Sequence, residues 1–367
     1  MYRNRAIPGL VLACVAMGCG PADESGITED STATETSVAV NDDATKILIY
    51  TNNVENLPTS KIAAGDASTC VGDWQDLIYF MKQMGGAPDI FLVQQISNAD
   101  QLDNKFVPKL RELLGVDYGT IIAEASPAYW NAADCSAKHY QTNAIVYRKA
   151  RFSYVPGSKQ TFRSVVDENG QCITAEPARY VNVAAKLQDK MQPWNGGYKE
   201  IAVASVHWPV VDGCGVTNAV KTDIIMKSYS GAQMYVWGGD INLPEFNTPG
   251  SNTSGYKSWY VRTNAALGDP STLGYRDAMY DGCDAKTSDE TSLKQCLVDN
   301  ATMKFGSRYD FLFAKYKSAY KASAASTSDP RTVSFDAADQ ADAQLSGSDN
   351  ADLGYSQHRA VSAFFYW

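Results

Sequence analysis

Six short apolar runs in this chain carry polar, potentially catalytic residues at or near one end. Four runs are followed by them: Asn52-Asn53-Val54-Glu55-Asn56, Gln94-Gln95, His207, and Asp240-Ile241-Asn242. Two runs are preceded by them, at Asp310 and at Gln357-His358. Apolar runs of this length bounded by turn residues read as strands. Strand ends along one edge of a layered sheet structure converge, so these side chains are expected to share one cleft. The runs must therefore lie side by side with like ends together, which constrains the fold more than composition does.

The strands are expected at 46–51, 89–95, 143–147, 180–187, 199–206, 233–237, 308–313 and 360–366. Helical spacing occurs at 73–84, through Leu77, Phe80, Met81 and Met84, and stops at Gly85-Gly86. It recurs at 99–114, through Leu102, Phe106, Leu110 and Leu113, where Pro108 is expected to kink or split the helix. One further helix is expected at 218–229. Many strands with a few amphipathic helices predict a layered α/β sandwich rather than a barrel or a doubly wound sheet. The Ser/Ala/Asp-rich stretch 317–352 reads as a surface insertion, and no linker divides 46–367.

Residues 1–19 read as a bacterial export signal, with Arg3 and Arg5 ahead of a short apolar stretch at 6–17. That stretch is too short to remain as a membrane span. Ala16-Met17-Gly18-Cys19 resembles a lipobox, which implies acylation at Cys19 and an outer-membrane lipoprotein; ordinary cleavage to a periplasmic or secreted protein is the alternative. Residues 20–45 are rich in Ser, Thr, Ala and acids and read as a disordered tether. The formal net charge is −9, but the tether holds seven acids and no base and the signal two arginines, leaving about −4 for the body. The basic face of a tight nucleic-acid binder is not indicated. Cys70, Cys135, Cys172, Cys214, Cys283 and Cys296 remain after processing, an even number that suggests three disulfides in an exported chain. Cys283 with Cys296 would close a local loop and the others fit pairing in order, though spacing alone does not fix the connectivity.

The order of segments resembles the endonuclease/exonuclease/phosphatase superfamily, over nearly the whole body. Tyr50-Thr51-Asn52-Asn53-Val54-Glu55-Asn56-Leu57 is similar to its first-strand motif, and Pro88 through Gln94-Gln95 to its second, which normally ends Gln-Glu. Ala144-Ile145-Val146-Tyr147-Arg148 and Ser205-Val206-His207 are similar to later strands. Gly239-Asp240-Ile241-Asn242, Arg308-Tyr309-Asp310-Phe311 and Ser356-Gln357-His358 are similar to the three closing motifs. The resemblance implies a four-layer αββα sandwich and in-line attack of water on a phosphodiester, either nucleic acid or a smaller phosphoester. It implies that Asp240 orients or deprotonates the water, and that Asn242 and Asn53 hold the phosphate and this aspartate. His358, supported by Asp310, would stabilise charge on the phosphate, with His207 opposite as a donor. A carboxylate beside a histidine would raise its pKa toward the charged form.

The metal position departs from the motif. Gln95 stands where the second strand normally ends in Glu, and Gln357 where the last triplet normally has Asp. Each swap removes a full negative charge, while Glu55 is the remaining acid that reaches a metal in similar proteins. Glu55, Gln95 and Gln357 are thus expected to form a weak site for Mg2+, or for Mn2+ or Ca2+, because magnesium depends on one or two carboxylates. Two functions compete: a metal-dependent phosphodiesterase, foremost a nuclease but also a phosphatase or sphingomyelinase-like enzyme, and an attenuated, lipid-anchored binding protein. Read singly, Asp240, Asn242 and Asn53 are turn caps and Asp310 an ion-pair partner of Arg308. Trp208 is expected as a wall of the cleft, and His139 as a surface residue.

Overall fold

Strand β1 (Lys46–Asn53) shows why its run is apolar throughout. Ile47 and Ile49 enter one buried cluster while Leu48 and Tyr50 enter another, because successive side chains point to opposite faces of a strand. β2 (Ile90–Ile96) divides in the same way, Ile90 and Leu92 against Phe91 and Val93. A computed structural model of the chain describes residues 39–54, 77–78, 81–82, 86–128, 140–209, 214–242, 273–302, 308–317, 328–332 and 358–367.

The remaining strands are β3 (Tyr118–Ile122), β4 (Thr142–Arg148), β5 (Phe152–Tyr154), β6 (Gln160–Arg163), β7 (Val165–Glu168), β8 (Gln171–Thr174), β9 (Val181–Trp194), β10 (Gly197–His207), β11 (Met234–Asp240), β12 (Arg276–Asp277), β13 (Asp310–Tyr316), β14 (Ser328–Thr332) and β15 (Val361–Tyr366). One six-stranded sheet has the order β14-β15-β1-β2-β4-β3. The second, of seven strands, runs β12-β13-β11-β10-β9-β5, with β6 also paired to β9. β7 and β8 form a separate hairpin.

Three buried layers make four structural ones. Between the sheets, Ile47, Ile49, Leu92 and Ile145 meet Val183, Leu187, Ile201, Val203 and Val236. On the outer face of the first sheet, Tyr50, Phe91 and Val146 pack with Leu102, Phe106, Leu110 and Leu113 of the 99–114 helix and with Leu77, Ile78 and Met81. On the outer face of the second sheet, Ala202, Ala204 and Trp237 pack with Ala219 and Met226 of α2 (Gly215–Lys227). The fold is therefore a four-layer αββα sandwich, as the sequence predicts.

Several local expectations change. Pro108 does not end its helix, but a widened turn at Leu102–Phe106 directly precedes the α-helix α1 (Val107–Leu114), so the irregularity falls in the turn that lacks the proline's N–H. Two helices not foreseen, α3 (Ala278–Asp284) and α4 (Glu290–Asp299), are capped by the side chains of Asp277 and Asp289. Within 317–352, expected as a surface insertion, β14 pairs antiparallel with β15 at the sheet edge. Trp208 is core rather than cleft wall, 1% exposed and packed on Trp237. Disulfides join Cys172 to Cys214 and Cys283 to Cys296, while Cys19, Cys70 and Cys135 lie outside the described residues, as does His139.

Residues 39–45, expected within the tether, are held by the domain. Arg151 donates to the carbonyls of Ala44 and Lys46, Arg148 donates to that of Asn41, and Asn41 donates to Asp89. Arg148 ends β4 and Arg151 lies in the turn that follows it, so a polar segment with little apolar to bury is fixed by charge-assisted hydrogen bonds.

Candidate active site

Parallel pairing of β1 with β2 sets Asn53 opposite Gln94, and parallel pairing of β10 with β11 sets His207 opposite Asp240. Antiparallel pairing of β11 with β13 then brings Asp240 opposite Asp310. The polar strand ends of the two sheets therefore meet along one edge. Gln94 ties the sheets together just beneath, donating to Ser205 Oγ at 2.9 Å and to Thr51 Oγ1 at 3.2 Å. Gly239 is needed for this approach, because a Cβ there would fall 1.8 Å from the Val206 carbonyl oxygen.

Asp240 lies at the centre, 1% exposed. Its Oδ2 accepts from Asn53 Nδ2 at 2.9 Å, and its Oδ1 accepts from the backbone N–H of Asn242 at 3.0 Å. Histidines flank it: His207 Nε2 is 3.5 Å and His358 Nε2 3.7 Å from Oδ2. On the far side of the second ring, His358 Nδ1 is 2.9 Å from Asp310 Oδ2. A carboxylate only accepts, so Nδ1 carries the proton and Nε2 faces Asp240 and Asn53. Two backbone N–H groups, of Tyr309 and Asp310, bond Thr302 Oγ1 and hold the aspartate's strand start.

Burial dominates the electrostatics. It pushes the Asp240 carboxyl up to about 7, with His358 opposing and Asp310 adding to the rise. His207 is held well below its ordinary value by burial, then by the positive charges of Arg179 and His358. The expected rise from a neighbouring carboxylate is thus overridden, and this ring is neutral at pH 7. It is positioned by Asn182, whose Oδ1 accepts from the His207 backbone at 2.7 Å, and Tyr180 packs edge-on at 5.1 Å.

The structure thus brings together Asn53, His207, Asp240, Asp310 and His358. Asn242 is present with a different emphasis. It sits at φ 51°, and its side chain donates to the Trp208 carbonyl at 2.7 Å, fixing the turn that carries Asp240. Gln95, at φ 61°, has its Oε1 accepting from Gln141 Nε2 at 2.7 Å, and its Nε2 lies 3.5 Å from His207 Nε2. Asparagine adopts this left-handed region readily, so Gln95 is the strained one of the two. Glu55 and Gln357 lie outside the described residues.

A hard cation fits part of this arrangement. Asp240, Asp310 and His358 each present a ligand atom within 4.8 Å of the others, and the buried Asp310 Oδ1 has no hydrogen-bond partner. The Gln95 oxygen, expected as a ligand, already accepts from Gln141.

Arg179 was not singled out in the sequence. It lies in a single 3-10 turn (Ala178–Tyr180) with no periodic signal, and only the fold brings its charge near Asp240 and His207. Its guanidinium rests 4.6 Å from the Tyr180 ring centroid, and burial lowers its pKa. Arg179→Met is expected to raise KM for an anionic substrate about tenfold with kcat less affected, since it removes a cation at the cleft without touching the Asp240 hydrogen bonds. Steady-state kinetics with an unchanged unfolding midpoint would show this, and an unaltered KM would remove Arg179 from the site.

No protein-family model and no curated protein sequence matches the chain. Solved structures are similar in fold at low identity. An endonuclease/exonuclease/phosphatase from Bacteroides vulgatus aligns with TM-score 0.48 and 15% identity, over 88% of this chain and 100% of that one. The catalytic domain of human Nocturnin, with a bound sulfate, aligns with TM-score 0.48 and 14% identity, over 88% and 94%. A mannosyl-6-phosphatase from Bacteroides thetaiotaomicron aligns with TM-score 0.47 and 16% identity, over 86% and 98%.

Proposed function

We propose that this chain is a phosphodiester hydrolase, exported and anchored at the bacterial cell surface or in the periplasm, and that it acts as a nuclease or on a smaller soluble phosphodiester. The observation that carries this reading is one buried carboxylate, Asp240, set between two histidines and poised near neutrality. A phosphodiester is anionic and a poor electrophile, so its hydrolysis needs an acceptor for the water proton and donors for the developing charge.

Asp240 takes the proton of the attacking water, and Asn53 and the Asn242 N–H keep its oxygens aimed. His358, its Nδ1–H anchored by Asp310, acts with Nε2 protonated as well, donating to the phosphate and giving that proton to the leaving oxygen. Arg179 supplies a fixed positive charge, and neutral His207 supplies a hydrogen bond rather than a proton. Asp310 through Oδ1, with Asp240 beside it, would hold a divalent cation, which would neutralise charge on a non-bridging oxygen. Loss of two acids, at Gln95 and Gln357, makes that cation weakly held.

The test titrates magnesium, manganese and calcium while following bis(p-nitrophenyl) phosphate and plasmid DNA. Turnover saturating at about millimolar metal is expected. No turnover at any concentration would favour the second reading, a phosphate-binding protein that keeps the histidines without catalysis, for which the two acid-to-amide swaps speak. The pH profile adds a sign. Asp240 works deprotonated, so at limiting metal kcat/KM should rise with pH through about 7. A cation bound beside it favours the carboxylate, so saturating metal should move that limb to lower pH. A flat profile would remove Asp240 as the acceptor.

A further inference from the structure

The edge opposite the cleft carries a cluster that catalysis does not use. β9 and β10 form a long hairpin whose turn, Asn195-Gly196 at φ 46° and 81°, is flanked by Trp194 and Tyr198. These two aromatics are 36% and 42% exposed, the exposed large hydrophobic side chains of the described strand pair. The ammonium of Lys199 sits 6.0 Å from the Trp194 ring centroid and 5.3 Å from that of Trp367, and desolvation there lowers its pKa. The cluster is thus an aromatic surface with a cation embedded in it, the composition that lies at membrane–water interfaces.

The same edge is where the chain enters the domain. Trp367 donates its backbone N–H to the Thr45 carbonyl at 3.0 Å, and Gln192, two residues before Trp194, donates to the Ala44 carbonyl. Val40, at 37% exposed, lies at this end too, bridged to Ala87 just ahead of β2. The cleft is at the other end of the same strands. His207 closes β10 while Gly197 opens it, and Asn53 closes β1 while Lys46 opens it. At about 3.3 Å per residue the hairpin tip and His207 are about 30 Å apart.

We propose that the Trp194–Tyr198 hairpin tip, with Lys199 and Trp367, docks on the lipid surface that anchors the N-terminal tether, turning the cleft away from the bilayer. The substrate is then a soluble phosphodiester and not a lipid of that surface. This rests on the proposed hydrolase and on acylation at Cys19. Aromatic rings with a polar tip suit the headgroup level, and their edge is the one at which the chain leaves the domain for the tether.

The test uses the whole chain with Cys19→Ser, which takes no acyl group, and vesicles of phosphatidylethanolamine and phosphatidylglycerol. Cosedimentation is expected, with tryptophan quenching by brominated lipid that falls in Trp194→Phe. Trp194→Ala with Tyr198→Ala should weaken vesicle binding about tenfold and leave hydrolysis of bis(p-nitrophenyl) phosphate unchanged. Equal binding by the double variant, or no binding by the parent, would overturn the docking surface. So would a dimer in sedimentation velocity that the double variant abolishes, since the occupant would then be a second copy. Cleavage of the vesicles' own phospholipid would overturn the outward-facing cleft. Vesicle binding without turnover on any phosphodiester would instead fail the hydrolase reading while leaving the surface in place.

Discussion

Asp240→Asn is expected to lower kcat/KM by about 10³-fold, the scale of removing a positioned general base. The replacement keeps shape, so the Asn242 N–H can still donate to Oδ1, and the sheets on either side are untouched. What is lost is the proton acceptor, its charge and the oxygen that accepts from Asn53 Nδ2. The effect on stability should have the opposite sign. The folded-state pKa of Asp240 is raised from 3.8 to about 7, so its stabilising contribution is complete only below the unfolded value and is lost as pH rises through about 7. A neutral amide escapes that loss. Relative to the parent, Asp240→Asn should therefore gain stability as pH climbs from 4 to 8, by on the order of a few kcal/mol at most, since Asn53 loses its acceptor oxygen. Urea unfolding at several pH values, alongside the rate, would show an inactive protein that is no less stable at pH 8. Retained turnover would mean that a different group accepts the proton.

The convergence of the site was legible because each residue lies at the end of an apolar run, and parallel pairing of β1 with β2 and β10 with β11 aligns like ends. The layered fold was legible for the same reason: both faces of the central strands are buried, so they read as continuous apolar runs. What escaped depends on partners distant in sequence. Residues 39–45 look disordered because they contain little to bury, yet Arg148 and Arg151, more than a hundred residues later, hold them. Arg179 has no pattern of its own, and its charge matters only beside a buried carboxylate. The neutrality of His207 also could not be read, because it follows from burial and two cations and not from the adjacent aspartate. Trp208 was misplaced because adjacency to a site histidine says nothing of direction: alternation along the strand turns its ring into the outer core.

Arg151→Met should be the most destabilising single change in the far half of the domain, at about 3–5 kcal/mol. The Arg151 side chain is fully buried, and it pairs with Asp89 at 3.0 Å and with Asp189 at 2.8 Å. It also bonds the Lys46 carbonyl at 2.7 Å, where β1 begins. Removing it leaves two buried carboxylates with reduced compensation, and the surviving Arg148 reaches only Asp89, at 3.1 Å. Burial already holds the Asp89 pKa above its ordinary value despite both arginines. Without Arg151 that pKa rises further, and a group with a raised folded-state pKa loses stability as pH increases through it. The cost of Arg151→Met should thus be larger at pH 8 than at pH 5. Adding Asp89→Asn and Asp189→Asn should recover much of it, because amides at the same positions carry no charge to desolvate. Urea midpoints for the single and triple variants at both pH values decide the matter. A pH-independent loss with no recovery in the triple variant would assign the cost to packing rather than charge. The rate on a soluble phosphodiester should survive in the folded fraction of every variant, since this cluster and the cleft stand at opposite ends of the same strands.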